Sequence, residues 1–158
     1  MTAAVQVSPV MRLPPPLLFV VTFFAGIGLE RLVPLQIPSS VAAVSRPIGI
    51  GLLACGVLLA VACVGMFLVG RTTIVPHGEA SRLITHGPYR LTRNPMYVSL
   101  ALTYLGVACM LVQPWSLLLL PFPVALVNAI VIPFEEARLR EIFGDEFRQY
   151  CSQVRRWI

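Results

Sequence analysis

Two polar stretches interrupt an otherwise apolar chain, and they hold most of the side chains able to do chemistry. The first begins at Arg71 and closes on His86-Gly87-Pro88-Tyr89-Arg90-Leu91-Thr92-Arg93-Asn94-Pro95-Met96-Tyr97. The second runs from Phe134 to Tyr150 and opens on Glu135-Glu136. Pro95 suits the first position of a helix, where its missing N–H is not needed, and Asn94 before it suits the N-cap. Such a helix start offers free N–H groups and positive dipole to a carboxylate or to ribose hydroxyls. Tyr97 can point to the same place. The plainer reading of these residues is a capped membrane helix with an interfacial arginine and tyrosine.

Glu135 and Glu136 are adjacent, so on a helix they diverge by about 100° and do not form a facing acid–base dyad. Glu136 can pair with Arg140 one turn on, and Glu135 with Arg138. Yet a carboxylate at the exit of an apolar span is costly unless a cation meets it. Arg90, Arg93 or a bound ammonium or sulfonium could be that cation. Leu83 and Ile84 are apolar residues inside a polar loop, and could rest on the membrane surface or line a slot. His86 by itself is more simply a solvated loop histidine.

Several chemistries are excluded or unsupported. All 12 basic residues are arginine, so no lysine is present to form a Schiff base. The four cysteines, Cys55, Cys63, Cys109 and Cys151, contain no Cys-x-x-Cys pair. With His77 and His86 as the only histidines, no metal site is expected. The net charge of +5 is placed beside apolar runs, which suits lipid headgroups and no nucleic acid partner.

The elements that position these residues are membrane spans. The chain is 57% hydrophobic and 12% charged, against about a quarter charged in soluble domains. Apolar runs cover residues 13–37, 47–70, 96–112 and 115–134. The first resembles a signal peptide but continues past a cleavage position, and reads as a retained span tilted near Pro34. The second places Gly49, Gly56, Cys63 and Gly70 at heptad spacing, a face that lets a neighbouring helix approach closely. Its Gly49-Ile50-Gly51-Leu52-Leu53-Ala54 matches a dinucleotide fingerprint only in letters, because no strand precedes it. Pro121, Pro123 and Pro133 should kink or divide the fourth run. Beyond it, Leu139, Ile142 and Phe143 share one helical face. Gly144-Asp145 reads as a stop and a new N-cap, after which Phe147, Tyr150, Cys151 and Val154 continue the apolar stripe. Arg155, Arg156 and Trp157 read as an interfacial anchor.

The expected fold is therefore all-α: one polytopic membrane domain of about four transmembrane helices plus an amphipathic helix. Arginines gather in the 71–95 loop and the 134–154 segment and beyond, while the turn after Val112 has none. That asymmetry predicts that the loop, the 134–154 segment and both termini are cytoplasmic, and that the two polar stretches meet.

Taken together, Leu-Ile-Thr-His-Gly-Pro-Tyr-Arg-Leu-Thr-Arg-Asn-Pro-Met-Tyr followed by Glu-Glu-Ala-Arg-Leu-Arg-Glu-Ile-Phe-Gly-Asp-Glu-Phe-Arg-Gln-Tyr strongly resembles the isoprenylcysteine carboxyl methyltransferase and phospholipid methyltransferase superfamily. The likeness covers about Gly70 to the end of the sequence. It implies an integral membrane methyltransferase using S-adenosylmethionine at the cytoplasmic face of a bacterial-type plasma membrane. The acceptor would be a lipophilic molecule carrying a carboxyl, amine, thiol or phenol, reached from the lipid bilayer. By the same resemblance the cofactor would touch Ser81, Arg82, Leu83 and Ile84, then Tyr89, then Asn94, Pro95, Met96 and Tyr97, and finally Glu135 and Glu136. Arg93 is the candidate catalytic residue, placed to hold a substrate anion or the cofactor carboxylate. Asn94, Ser81 and Val131 stand where the isoprenylcysteine branch carries histidine, histidine and arginine, which weighs against a prenylcysteine acceptor. A membrane reductase using a nicotinamide cofactor and a module with no catalytic task are the competing readings.

Overall fold

The computed structural model describes residues 14–70 and 83–158; Leu13 and the expected loop residues 71–82 lie outside them. The described residues are helical with no strand. Helix α1 spans Pro15–Leu32 and α2 spans Ser39–Gly70. A single 3-10 turn, Gly87–Arg90, leads into α3, Pro95–Met110. Three short pieces follow in line: α4, Pro114–Leu119; α5, Pro121–Leu126; and a π-helical turn, Val127–Val131. Helix α6, Ile132–Gln153, completes the series. Three stretches are long and apolar enough to cross a membrane, namely Pro15–Leu32, Ser39–Val69 and Pro114–Gln153, and Pro95–Met110 is a shorter apolar helix beside them. The protein is a polytopic, all-helical membrane protein.

Two expected boundaries move. The run 13–37 is not one span, because α1 stops at Leu32 and residues 34–38 are irregular. Glu30 helps to end it, its Oε1 accepting from the N–H of Leu35 at 2.9 Å. Helix α2 starts at Ser39 and carries Pro47 in its interior, so the expected start at Pro47 is eight residues late. Membrane helices tolerate an interior proline where a neighbouring helix, a hydroxyl side chain or a local adjustment of the backbone re-satisfies the freed carbonyl.

The small-residue face does bring α2 onto α3. A Cβ on Gly49 would meet the backbone of Met110 and Gly106, and one on Gly56 would meet Thr103. Gly106 answers from α3, where a Cβ would collide with the backbone of Leu53. Cys63, on the same face, is fully buried. The opposite face of α2 is bare, with Leu58 69% and Leu68 70% exposed, as a lipid-facing helix should be. Gly51, within the apparent nucleotide fingerprint, is simply one turn of this helix.

Helix α1 packs on α4 and α3. Phe19 and Phe23 place their rings edge-on to Tyr104 at 6.2 and 5.2 Å. The Tyr104 hydroxyl donates to the Ser116 carbonyl at 2.8 Å, and the Ser116 hydroxyl donates to the Phe23 carbonyl at 3.1 Å. The first satisfies a carbonyl that the end of α4 leaves open, and the second ties α4 to the middle of α1. The turn into α4 is tight: the N–H of Gln113 donates to the Ala108 carbonyl at 2.8 Å, with Val112 at a φ of 53°. That is the place where a helix end prefers glycine.

The expected prolines mark the fourth span without stopping it. Leu120 keeps helical angles between α4 and α5, and the π turn follows. At the far end, Gly144 leaves the helix with φ 50° and ψ −117°, and the chain bends there. Phe147, Tyr150 and Val154 then form a small core with Leu83, Leu139 and Phe143. Ile142, expected on that face, is 43% exposed instead.

Gly106→Ala should cost roughly 1–3 kcal/mol, the usual penalty for overpacking, read as a lower melting temperature in detergent. Gly51→Ala meets open space and should be neutral or stabilising by up to about 1 kcal/mol. Equal melting of the two variants would argue against the α2–α3 contact. For topology, single cysteines at Gln113 and at Asp145 in a cysteine-free background should label from opposite sides of sealed vesicles. Labelling of both from one side would refute the arrangement.

Candidate functional site

The head of α3 and the first turn of α6 meet at one point. Tyr97, 8% exposed, donates its hydroxyl to Glu135 Oε1 at 2.7 Å. Pro95 opens α3 and is fully buried. Asn94 occupies the N-cap position, but its side chain does not cap the helix. It turns away, and Nδ2 donates to the Arg156 carbonyl at 3.0 Å. The expected N-cap bond is therefore absent. The N–H groups of Tyr97 and Val98 are taken by the Asn94 carbonyl at 3.1 Å. With Pro95 lacking a donor, this helix start offers an anion less than the sequence suggests. Met96, beside it, is half-buried.

Glu136 has a different fate from Glu135. It is 5% exposed and faces three guanidinium groups. Arg156 grips it with two bonds, Nε to Oε1 at 3.1 Å and a terminal nitrogen to Oε2 at 2.8 Å. Arg93 approaches Oε1 at 3.4 Å, and Arg140 approaches Oε2 at 3.5 Å. The bonds from Glu136 push the Arg156 guanidinium above its ordinary range, so that charge is fixed. Glu135, which the sequence also pairs with Arg138, is bound to Tyr97 instead.

Arg93 is held on several sides. Its N–H donates to the Arg155 carbonyl at 2.9 Å, and a terminal nitrogen donates to Cys151 Sγ at 2.6 Å. Its Nε is buried and has no partner among the described residues. The described end of the loop packs on the protein. Leu83 joins the Phe147 core, and Ile84 is 7% exposed. Gly87 adopts φ 60° beside Met66, which fits the turn read from Gly-Pro. Tyr89 sets its ring edge-on to Phe67 at 6.0 Å, and its carbonyl accepts from the Tyr150 hydroxyl at 2.7 Å. Burial pushes the Tyr89 phenol well above its usual range, so it stays neutral and is unsuited to act as a base. His86 is exposed. Ser81 and Arg82 lie outside the described residues.

Sequence reasoning missed the contacts that the non-helical segment Val154–Ile158 makes within the protein. It folds back across the head of α3, with the Arg156 carbonyl also accepting from Thr92 Oγ1 at 2.9 Å. Trp157 donates its indole N–H to Asn128 Oδ1 at 2.9 Å. Asn128 sits in the π turn, and a lone amide in an apolar run was the available signal for such a partner. Beside this segment a shallow apolar groove of about 360 Å³ runs between α3 and α4–α5, lined by Val98, Ala101, Leu105, Leu120, Val124 and Trp157. Among the described residues, no group of three histidine, cysteine or acidic side chains gathers as a metal site would require.

A helical membrane protein with a buried polar site where two spans leave the apolar layer is the class that fold and site define. Within it, residues 44–146 match the phospholipid methyltransferase family, and the chain belongs to that family. Among individual proteins, the chain is 34% identical over 80 residues to a probable protein-S-isoprenylcysteine O-methyltransferase of Oryza sativa subsp. indica, covering 51% of this chain and 42% of the relative. It is 34% identical over 80 residues to protein-S-isoprenylcysteine O-methyltransferase A of Arabidopsis thaliana, covering 51% and 41%. The B protein of Arabidopsis thaliana matches at 32% over 76 residues, 48% of this chain and 39% of the relative. The matched part is thus less than half the length of these relatives. No solved structure matches the chain. The named relatives carry the name of the branch that Asn94, Ser81 and Val131 weigh against, while the matching family model carries the name of the other branch.

The geometry separates the two glutamates by experiment. Glu136→Gln should destabilise the fold by about 1.5–3 kcal/mol, the range for hydrogen bonds to a charged group, seen in detergent melting. Glu135→Gln retains an acceptor for Tyr97 and should melt close to wild type. The reverse order would contradict the assignment of Glu136 to the fold.

Proposed function

We propose that this protein transfers a methyl group from S-adenosylmethionine to a lipophilic acceptor at the cytoplasmic edge of the bilayer. The observation that carries the reading is the hydrogen bond from buried Tyr97 to half-buried Glu135, in a chain that belongs to the phospholipid methyltransferase family. When bound, the cofactor supplies an electrophilic methyl on a sulfonium, and displacement there needs alignment and exclusion of water more than an acid–base pair.

The residues present fit that group. Glu135, oriented by Tyr97, can accept from ribose hydroxyls or from an ammonium. Arg93 can offer its buried Nε–H, which has no partner among the described residues, to a carboxylate of the cofactor or acceptor. Leu83, Ile84 and Tyr89 supply an apolar wall, with Met96 at the head of α3. Ser81 and Arg82 are assigned to the same site by the resemblance. Glu136 serves this site indirectly in our reading, by fixing Arg93, rather than by touching the cofactor.

For the acceptor, two supports bear on the choice. The groove beside Val98 begins one residue from Tyr97 and is apolar, which suits a hydrocarbon chain. The named relatives are isoprenylcysteine O-methyltransferases, which favours the carboxylate of an S-prenylated cysteine over other lipophilic acceptors. The family match favours a phospholipid amine as the second reading.

Isothermal titration in detergent should give micromolar binding of S-adenosylmethionine or S-adenosylhomocysteine, on the order of 8 kcal/mol, and none of NADPH. Glu135→Gln should weaken it by roughly ten- to a hundred-fold, whereas Glu141→Gln, exposed further along α6, should not. Absence of binding to the wild type would end the methyltransferase reading. Transfer of labelled methyl to N-acetyl-S-farnesylcysteine but not to phosphatidylethanolamine would select the carboxylate, and the opposite result the amine.

A further inference from the structure

We propose that Arg156 is a positioning residue for the cofactor site, tying the head of α3 to the first turn of α6 through its own side chain and carbonyl. The inference rests on the cofactor reading above and names the device that sets the width of that site.

Arg156 has a double grip. Its guanidinium makes a two-point contact with Glu136, at 3.1 and 2.8 Å. Its carbonyl accepts from Thr92 Oγ1 at 2.9 Å and from Asn94 Nδ2 at 3.0 Å. One residue therefore joins Glu136, the neighbour of Glu135, to Asn94, three residues before Tyr97. The residues on either side reinforce it: the Arg155 carbonyl takes the N–H of Arg93 at 2.9 Å, and Trp157 is fixed to Asn128 at 2.9 Å. The segment lies outside any helix, so its polar backbone groups depend on such partners.

A planar guanidinium bound at both oxygens of a carboxylate resists rotation as well as separation. If Arg156 is lost, Glu136 keeps Arg93 and Arg140 at longer range. The 92–94 turn and Glu135 then lose the fixed spacing that a ligand between them requires. A small loosening at such a distance is enough to weaken binding.

The test is titration of S-adenosylhomocysteine into the full-length protein in detergent, reading the dissociation constant and the number of competent sites separately. Arg156→Gln should weaken binding roughly ten-fold at unchanged stoichiometry. Arg156→Lys, which keeps the charge but not the fork, should recover only part of the loss. In a Glu136→Gln background, Arg156→Gln should add little, because the two residues act as one unit. Arg148→Gln, an exposed arginine paired to Asp145, should bind as wild type. Fewer competent sites with an unchanged dissociation constant would show a purely structural role and overturn the proposal. So would full wild-type affinity in Arg156→Gln. If Arg156→Gln yields no folded protein, Thr92→Val removes one donor from the same carbonyl and is judged by the same criterion, with a several-fold weakening expected. A wild type that fails to bind S-adenosylhomocysteine defeats the cofactor reading itself, an outcome distinct from the others.

Discussion

A carboxylate held at the boundary of the apolar layer must be neutralised, and the neutralisation of Glu136 organises the polar end of this protein. Its side chain is 6% exposed, and three arginines converge on it. They come from three parts of the chain: the loop before α3, one turn along α6, and the non-helical segment after α6. Lipid would not tolerate the charge alone, so each element is drawn in to meet it. The positions of Arg93 and Arg156 in turn fix the backbone at Asn94 and the approach of Tyr97 to Glu135. The charged node thereby does locally what a hydrophobic core does in a soluble domain. It is more directional, because a guanidinium fork accepts few orientations.

The remainder of the bundle is held by closeness rather than charge. Lipid removes most of the driving force for apolar burial between spans. What remains is backbone proximity, which Gly49, Gly56 and Gly106 permit, and hydrogen bonds such as Tyr104 to Ser116. This division explains why α2 can be largely bare on its outer face while α3 is packed around most of its circumference. It also places the closely packed pair, α2 and α3, next to the candidate site, with Asn94 and Tyr97 at the head of α3.

How much of this was legible in the sequence depends on the range of the interaction concerned. The heptad of small residues was readable because close approach needs small side chains wherever the partner lies. Pro95 at the start of α3 and the break at Gly144 were readable because backbone chemistry acts locally. The loop packing of Leu83 was open between two readings, and neither named its contact with the Phe147 cluster, which comes from a distant part of the chain. The early start of α2 was hidden by Pro47, whose usual cost is reduced in this setting. Ile142 was misplaced because it lies about 100° around the helix from Phe143, and the side of Leu139 and Phe143 is the one that meets the cluster. Asn94 shows the limit most clearly. Its type and place are those of an N-cap, yet the Arg156 carbonyl offers its amide a better partner than the helix does. No local pattern can rank a capping bond against a carbonyl that arrives 62 residues later in the chain.

The same contrast applies to Glu135 and Glu136, which sequence alone treats as near equivalents. A helix sends adjacent side chains about 100° apart, so one turns toward the arginines and the other toward Tyr97. The first is spent on the fold. The second has a neutral partner: a phenol can orient a carboxylate but cannot cancel its charge. An interior that neutralises one glutamate three times over and leaves its neighbour with a hydroxyl partner among the described residues is asymmetric in a way that stability does not require. A bound cation or a set of ligand hydroxyls would balance Glu135 as the arginines balance Glu136. That asymmetry is the strongest physical argument for a ligand at this end of the bundle, and it rests on the two glutamates alone.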